Sequence, residues 1–196
     1  MSIVKKHILY LWVLSFAVVT YSNMSTLWAA SNIHIADRNE WYYFKGTEKP
    51  PRKWNHEEFD DSRWIKGLKG TGYGKHHSAF VLDDMKGSYK RVYARRKFNV
   101  NNPQSIIKMS LSVVCDGPFV AYLNGMMVIR NVTGLATSNP AKGGNPTGEE
   151  LDISGWAHEL NSGQNVLSVQ CDNDDINSND FIFIPSLKIL EVESAR

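Results

Sequence analysis

What this sequence has little of limits it first. Beyond its first thirty residues it has no helix-period segment of useful length, which sets aside helical bundles. Excess charge is nearly absent. There are 22 Lys and Arg against 20 Asp and Glu, and without Lys5 and Lys6 both sides stand at 20. Such a chain has no bulk drive toward nucleic acid or an anionic membrane. Long apolar runs are missing too: the stretch Ile8–Val19 has 12 residues, too few for a comfortable membrane span. Catalytic signatures are also lacking, with no G-x-S-x-G, no H-E-x-x-H and no triad-like order. The glycine-rich GLKGTGYGK has neither P-loop spacing nor a strand–turn–helix context. Asp60-Asp61, Asp83-Asp84 and Glu149-Glu150 are adjacent pairs, and on a strand adjacent side chains point to opposite faces, which unfits them as acid/base partners. His76-His77 lacks a third zinc ligand. No positive case for an enzyme emerges.

What is present begins with an export signal. Lys5 and Lys6 precede the short apolar core, and Ala29-Ala30-Ser31 supplies the small residues a signal peptidase reads, so residues 1–31 are expected to be removed. Residues 32–196 then form a single domain of about 165 residues, enough to bury about two thirds of its unfolded surface. The expected location is extracellular or periplasmic, with no membrane insertion after cleavage. Charge is distributed unevenly: residues 85–115 carry 7 basic and no acidic side chains, while 149–196 carry 10 acidic and 2 basic. Only two cysteines occur. Cys115 and Cys171 each end an apolar run and precede an aspartate, so in an oxidising compartment they form either one disulfide or two buried thiols.

Short runs rich in β-branched and aromatic residues predict strands at 41–45, 89–99, 105–115, 118–123, 126–130, 165–171 and 181–191. The Asn-Gly of LNGM predicts a hairpin over 118–130. Ser154 before GWAHEL predicts a short helix at 154–160, and FDDSRW at 59–64 a single helical turn. Residues 131–150, NVTGLATSNPAKGGNPTGEE, read as one long loop. Many short strands and one or two short helices make an all-β sandwich or barrel.

The motifs then carry a resemblance. WYYFKG at 41–46 and PPRKWNHEEFDDSRWIKGLKGTGYG at 50–74 are followed by VLDDM, VYARRKF, CDGPFVAYLNG, GQNVLSVQ and NSNDF. Together they resemble a galactose-binding-domain-like jelly roll of bacterial secreted proteins. That fold is shared by many carbohydrate-binding modules and by accessory domains of secreted hydrolases. The resemblance implies a β-sandwich with Trp41, Trp54 and Trp64 as anchors between the sheets, and a non-catalytic module that binds carbohydrate. A structural or protein-interaction subunit of an extracellular or envelope assembly is the alternative.

The stretch CDNDDINSNDF at 171–181 sets four aspartates and three asparagines into nine positions. It reads as a plain turn, a glycan-binding loop or a calcium site. Asp175, Asn177 and Asn179 have the spacing that begins an EF-hand, but the glycine at the sixth place is Asp180 and the glutamate at the twelfth is Ser186, so it is no EF-hand. If calcium binds as a structural ion, Asp172, Asp174 and Asp175 are the candidate ligands. A sugar needs an aromatic face beside hydrogen-bonding groups. The candidate ligand site therefore takes Tyr73 with Asp116, Asn173 and Asp180, gathered at one end of the sandwich, and Trp156 as a further aromatic outside the strands.

Overall fold

The computed structural model describes residues 30–35, 40–68, 70–74, 80–131 and 149–192. The bulk of the signal segment, His76-His77 and most of the loop at 131–150 lie outside them.

Among the described residues there are twelve strands: β1 (Ala30–Ile35), β2 (Glu40–Lys45), β3 (Ile65–Leu68), β4 (Thr71–Tyr73), β5 (Phe80–Val81), β6 (Arg91–Val100), β7 (Ile106–Cys115), β8 (Phe119–Leu123), β9 (Met126–Asn131), β10 (Glu150–Asp152), β11 (Gly163–Asp172) and β12 (Phe181–Val192). One sheet runs β10-β7-β12-β4-β5, with β1 also paired to β12. The other runs β3-β2-β6-β11-β8-β9. All pairs are antiparallel except β4 with β5. The result is the all-β, jelly-roll-like sandwich that the sequence predicts.

Period-2 alternation fills the space between the sheets. From one sheet come Met109, Leu111, Val113 and Cys115 of β7 and Phe181, Phe183, Leu187 and Ile189 of β12. From the other come Trp41, Tyr43, Val92, Ala94, Leu167, Val169 and Cys171. Each large apolar side chain so buried contributes about 1.5–3 kcal/mol. Cys115 and Cys171 are both fully buried.

Only Trp41 of the three expected anchors lies in this core. Trp54 and Trp64 sit on the outer face of the second sheet, stacked with ring centres 6.1 Å apart. They belong to a strap, residues 46–64, folded over that face. Trp64 packs on Phe44, and Trp54 meets Tyr93 and Tyr122 edge-on. Under the strap lies Arg95, fully buried. Its Nε donates to Asp61 Oδ2 at 2.8 Å, and its other nitrogens donate to the carbonyls of Trp54, His56 and Phe59. The F-D-D-S-x-W motif is thus a docking device. Asp60 accepts from the Ser62 backbone N–H and caps the turn, while Asp61 neutralises the arginine.

The Asn-Gly hairpin forms as predicted. Asn124 has φ 49° and Gly125 φ 94°, the left-handed pair that a type I′ turn requires. A Cβ on Gly125 would stand 2.7 Å from the His56 ring, so strap and hairpin tip are fitted together. The expected helix at 154–160 is a 3-10 segment, Ser154–Glu159. Ser154 is its first residue and not its cap, since the N-cap position is Ile153 with no side-chain cap bond. Asp152 Oδ1 accepts from Ser154 N at 2.8 Å, and Ser154 Oγ accepts from Met109 N. A second 3-10 turn, Pro103–Ser105, is capped by Asn102. The strand pairing reaches into the predicted cleavage region, since Ala30 faces Val192 and Ser31 faces Glu191.

Glu191 provides a test of the buried polar groups. It is buried, and its Oε1 has no hydrogen-bond partner among the described residues. Burial pushes its carboxyl above the usual glutamate range. The folded protein therefore binds this proton more tightly than the unfolded chain. The stability it contributes is present below the ordinary value of 4.5 and is lost as pH rises through the raised value. Glu191→Gln is expected to raise the urea midpoint at neutral pH and to leave it nearly unchanged in acid, measured by unfolding at about pH 4 and about pH 7.

Candidate functional site

Four of the sequence-predicted ligand residues do meet at one end of the sandwich. Asp116 lies in the turn from β7 to β8, Asn173 and Asp180 lie in the loop from β11 to β12, and Tyr73 ends β4. Their polar groups, however, hold the loop together. Tyr73 Oη donates to Ser178 O at 3.0 Å and accepts from Asn173 Nδ2 at 3.2 Å. Asn173 Nδ2 also reaches Asp180 O, and Ser178 Oγ donates to the same carbonyl at 2.8 Å. Asp116 Oδ2 accepts from Ile182 N at 2.7 Å and so fixes the start of β12. Tyr73 is only 7% exposed and stacks on Phe181, 6.4 Å away. Burial raises its hydroxyl above the usual tyrosine range, which keeps it a neutral donor. The expectation of an open stacking ring at Tyr73 is therefore corrected: β4 pairs with β12 and sets Tyr73 opposite Phe181 inside the core.

The acidic side chains of the same loop do not build a calcium cage. Asp172 is bound bidentately by Arg91, at 2.6 and 2.8 Å. That bond holds the arginine above its ordinary range. Asp175 Oδ1 accepts from Asn177 N in a local turn. Asp174 is exposed, and its backbone carbonyl lies 3.5 Å from Lys90 Nζ. Calcium needs six to eight converging oxygens, yet among the described residues no three His, Cys, Asp or Glu side chains come together as metal ligands. Asp172, Asp174 and Asp175 do not fit the ion as a set.

Trp156 lies elsewhere, at the opposite end. There an open cleft of about 680 Å³ is formed between the 3-10 turn at Pro103–Ser105 and the segment from Ala157 to Ser162. Its floor is Pro103, Ala157 and Leu160, and its polar wall is Asn102, Gln104, His158 and Ser162. Trp156 packs against the core from behind. Its ring stacks on His158, with centres 6.0 Å apart and planes 22° apart. His158 is the outer layer of that pair, 68% exposed along its side chain. Gly155 O lies 2.8 Å from its Nδ1 and Glu159 Oε1 lies 3.2 Å from its Nε2, which fixes the ring plane. Ser162 Oγ donates to Asn101 O at 2.8 Å, tying the two walls together.

Behind the cleft a network of asparagines holds the backbone. Asn165, fully buried, donates to Asn161 O and Gly163 O and accepts from Asn161 N and Asn124 Nδ2, all within 3.0 Å. Asn124 also donates to Glu159 O at 2.8 Å. Sequence reasoning found Trp156 but missed this cleft, because its walls come from segments far apart in the chain. The one local signal was the capped proline turn, N-N-P-Q-S.

No family model and no curated protein matches the chain. Solved structures do. The fold is shared with part of several glycosidases. One is a β-glucuronidase of Bacteroides uniformis, 15% identical, with a TM-score of 0.55, covering 81% of this chain and 18% of that one. Another is a glycosyl hydrolase family 2 member of Bacteroides cellulosilyticus, 14% identical, with a TM-score of 0.52 over 80% of this chain and 20% of that one. A β-glycosidase of Bacteroides vulgatus is 12% identical, with a TM-score of 0.50, over 81% and 20%. The chain thus spans about a fifth of the length of these enzymes, and the likeness is one of fold.

Chemically, the cleft offers one exposed planar ring backed by a second, two amides and a hydroxyl beside an apolar floor. This combination suits a ligand with alternating C–H faces and hydroxyls. The acidic loop at the other end has its hydrogen-bonding groups largely committed to its own backbone.

Proposed function

We propose that this chain is an exported, non-catalytic module of the galactose-binding-like kind that binds carbohydrate in the cleft beside Trp156 and His158. One observation carries the reading: the exposed His158 ring, stacked on the half-buried Trp156, lines an open cleft beside the exposed amides Asn102 and Gln104. The fold likeness to glycosidase chains supports it, as does the absence of any sequence signature for catalysis. The expected result is saturable binding of the purified chain to at least one member of a broad panel of neutral and acidic polysaccharides, unchanged by calcium or chelator. His158→Ala and Gln104→Ala, both at exposed positions, are each expected to weaken that binding about tenfold, equivalent to about 1.4 kcal/mol. Titration calorimetry checks both. Binding that survives both substitutions would move the site elsewhere.

A second reading is a protein-interaction subunit of an envelope assembly. It is favoured by Met126 and Met127, 46% and 44% exposed on the edge strand β9. No binding across the whole panel would leave it in front.

A further inference from the structure

Cys115 closes β7 in one sheet, and Cys171 lies near the end of β11 in the other. Between the sheets the chain turns a single corner, from Asp116 to Pro118, and the next residue, Phe119, pairs directly with Cys171. The corner is tight. Asp172 N donates to Pro118 O at 2.9 Å, and a Cβ on Gly117 would collide with the Asp172 carbonyl. The two sheets are thus drawn together where the cysteines sit. Both thiols are fully buried in the same core cluster between the sheets. Cys115 Sγ donates to Gly117 O at 3.1 Å.

We propose that Cys115 and Cys171 are a cross-linking site, joined as an inter-sheet disulfide while the chain folds in an oxidising compartment. Two S–H bonds break and one S–S bond forms. Two protons and two electrons pass to a disulfide-bearing oxidant, which leaves as two thiols. Burial first, and then the neighbouring Cys115, raises the Cys171 thiol well above its ordinary range. Exchange needs an accessible thiolate, so the folded protein is closed to it in both directions. The bond forms before the corner closes or waits for the corner to open. It would pin the end of the sandwich that carries the 173–180 loop, and it is independent of what the cleft at the other end binds.

The test uses the full chain, unfolded in urea with reductant. It is then refolded by dilution either into mixed oxidised and reduced glutathione or into reductant alone. In the glutathione arm the expected product is a monomer lighter by two hydrogens. It should resist alkylation after denaturation and yield one linked peptide pair containing Cys115 and Cys171. Its urea midpoint is expected to lie above that of the reduced arm, a shift absent from Cys115→Ser and Cys171→Ser. Already-folded reduced protein is expected to oxidise at least about tenfold more slowly than the unfolded chain. Two alkylatable thiols in the glutathione arm, glutathione adducts, or disulfide-linked dimers would overturn the proposal. Oxidation of the folded protein as fast as of the unfolded chain would overturn the closure by burial.

Discussion

Arg95→Met is expected to lower the unfolding free energy by about 3–5 kcal/mol. The guanidinium is fully buried under the strap and serves four acceptors: the Asp61 carboxylate and the carbonyls of Trp54, His56 and Phe59. The rings of Phe59 and Trp64 lie over it at 4.9 and 5.9 Å. Methionine fills similar space but leaves Asp61, itself buried, without a counter-charge, and that orphaned carboxylate dominates the loss. Two further variants separate charge from hydrogen bonding. Adding Asp61→Leu removes the stranded charge and is expected to recover a third to a half of the loss, because the three carbonyls stay unpaired. Arg95→Lys keeps the charge, but one ammonium cannot reach acceptors spread over the strap as a planar fork does. Urea unfolding of the four proteins decides it. A loss below about 1 kcal/mol for Arg95→Met would mean that the strap is held by its aromatic rings alone.

This arginine also marks the limit of what the sequence makes legible. Strand positions were readable because alternation of apolar and polar residues is a local signal. Runs such as SIIKMSLSVVC and FIFIPSLKILE became the central strands β7 and β12 nearly to the residue. The hairpin was readable because Asn-Gly dictates positive φ at two successive positions. The missed strands are β1, with six residues, and β3, β4, β5 and β10, with two to four residues each. They exist because a longer neighbour offers a hydrogen-bonding edge, not because of their own propensity. Trp54 and Trp64 were placed in the wrong layer for a related reason. A tryptophan declares that it will be buried but not on which side of a sheet, and here the partner is Arg95, whose basic run VYARRKF reads as solvent-facing. The loop residues Asp116, Asn173 and Asp180 were rightly brought to one end, since that follows from strand direction. Their mutual hydrogen bonds depend on backbone geometry that no spacing encodes. The cleft escaped altogether, since neither Asn102–Gln104 nor Ala157–Ser162 contains a motif by itself.

That dependence on buried support gives the second large expectation, Asn165→Ala, at about 2–4 kcal/mol of stability and a loss of cleft binding beyond it. Asn165 is fully buried and uses both halves of its amide. Truncation orphans the Asn161 N–H, the Asn161 carbonyl and the Gly163 carbonyl. Asn124 Nδ2 retains Glu159 O, so the hairpin is weakened but not released. The orphaned groups all belong to the turn that carries Ser162 into the cleft and leads from Leu160 to β11. Binding should therefore suffer through geometry rather than through a lost contact, because Asn165 is not among the residues that line the cleft. The two effects separate by temperature. Well below the unfolding midpoint Asn165→Ala is still folded, and carbohydrate affinity measured there is expected to fall about tenfold as the wall loosens. Asn165→Asp tests the same point from the other side. It keeps both accepted bonds but replaces the amide donors with an acceptor facing two carbonyls, so it is expected to be as destabilising as alanine. Wild-type affinity in folded Asn165→Ala would show that the cleft is shaped by its surface residues alone, and that the asparagine network serves only the fold.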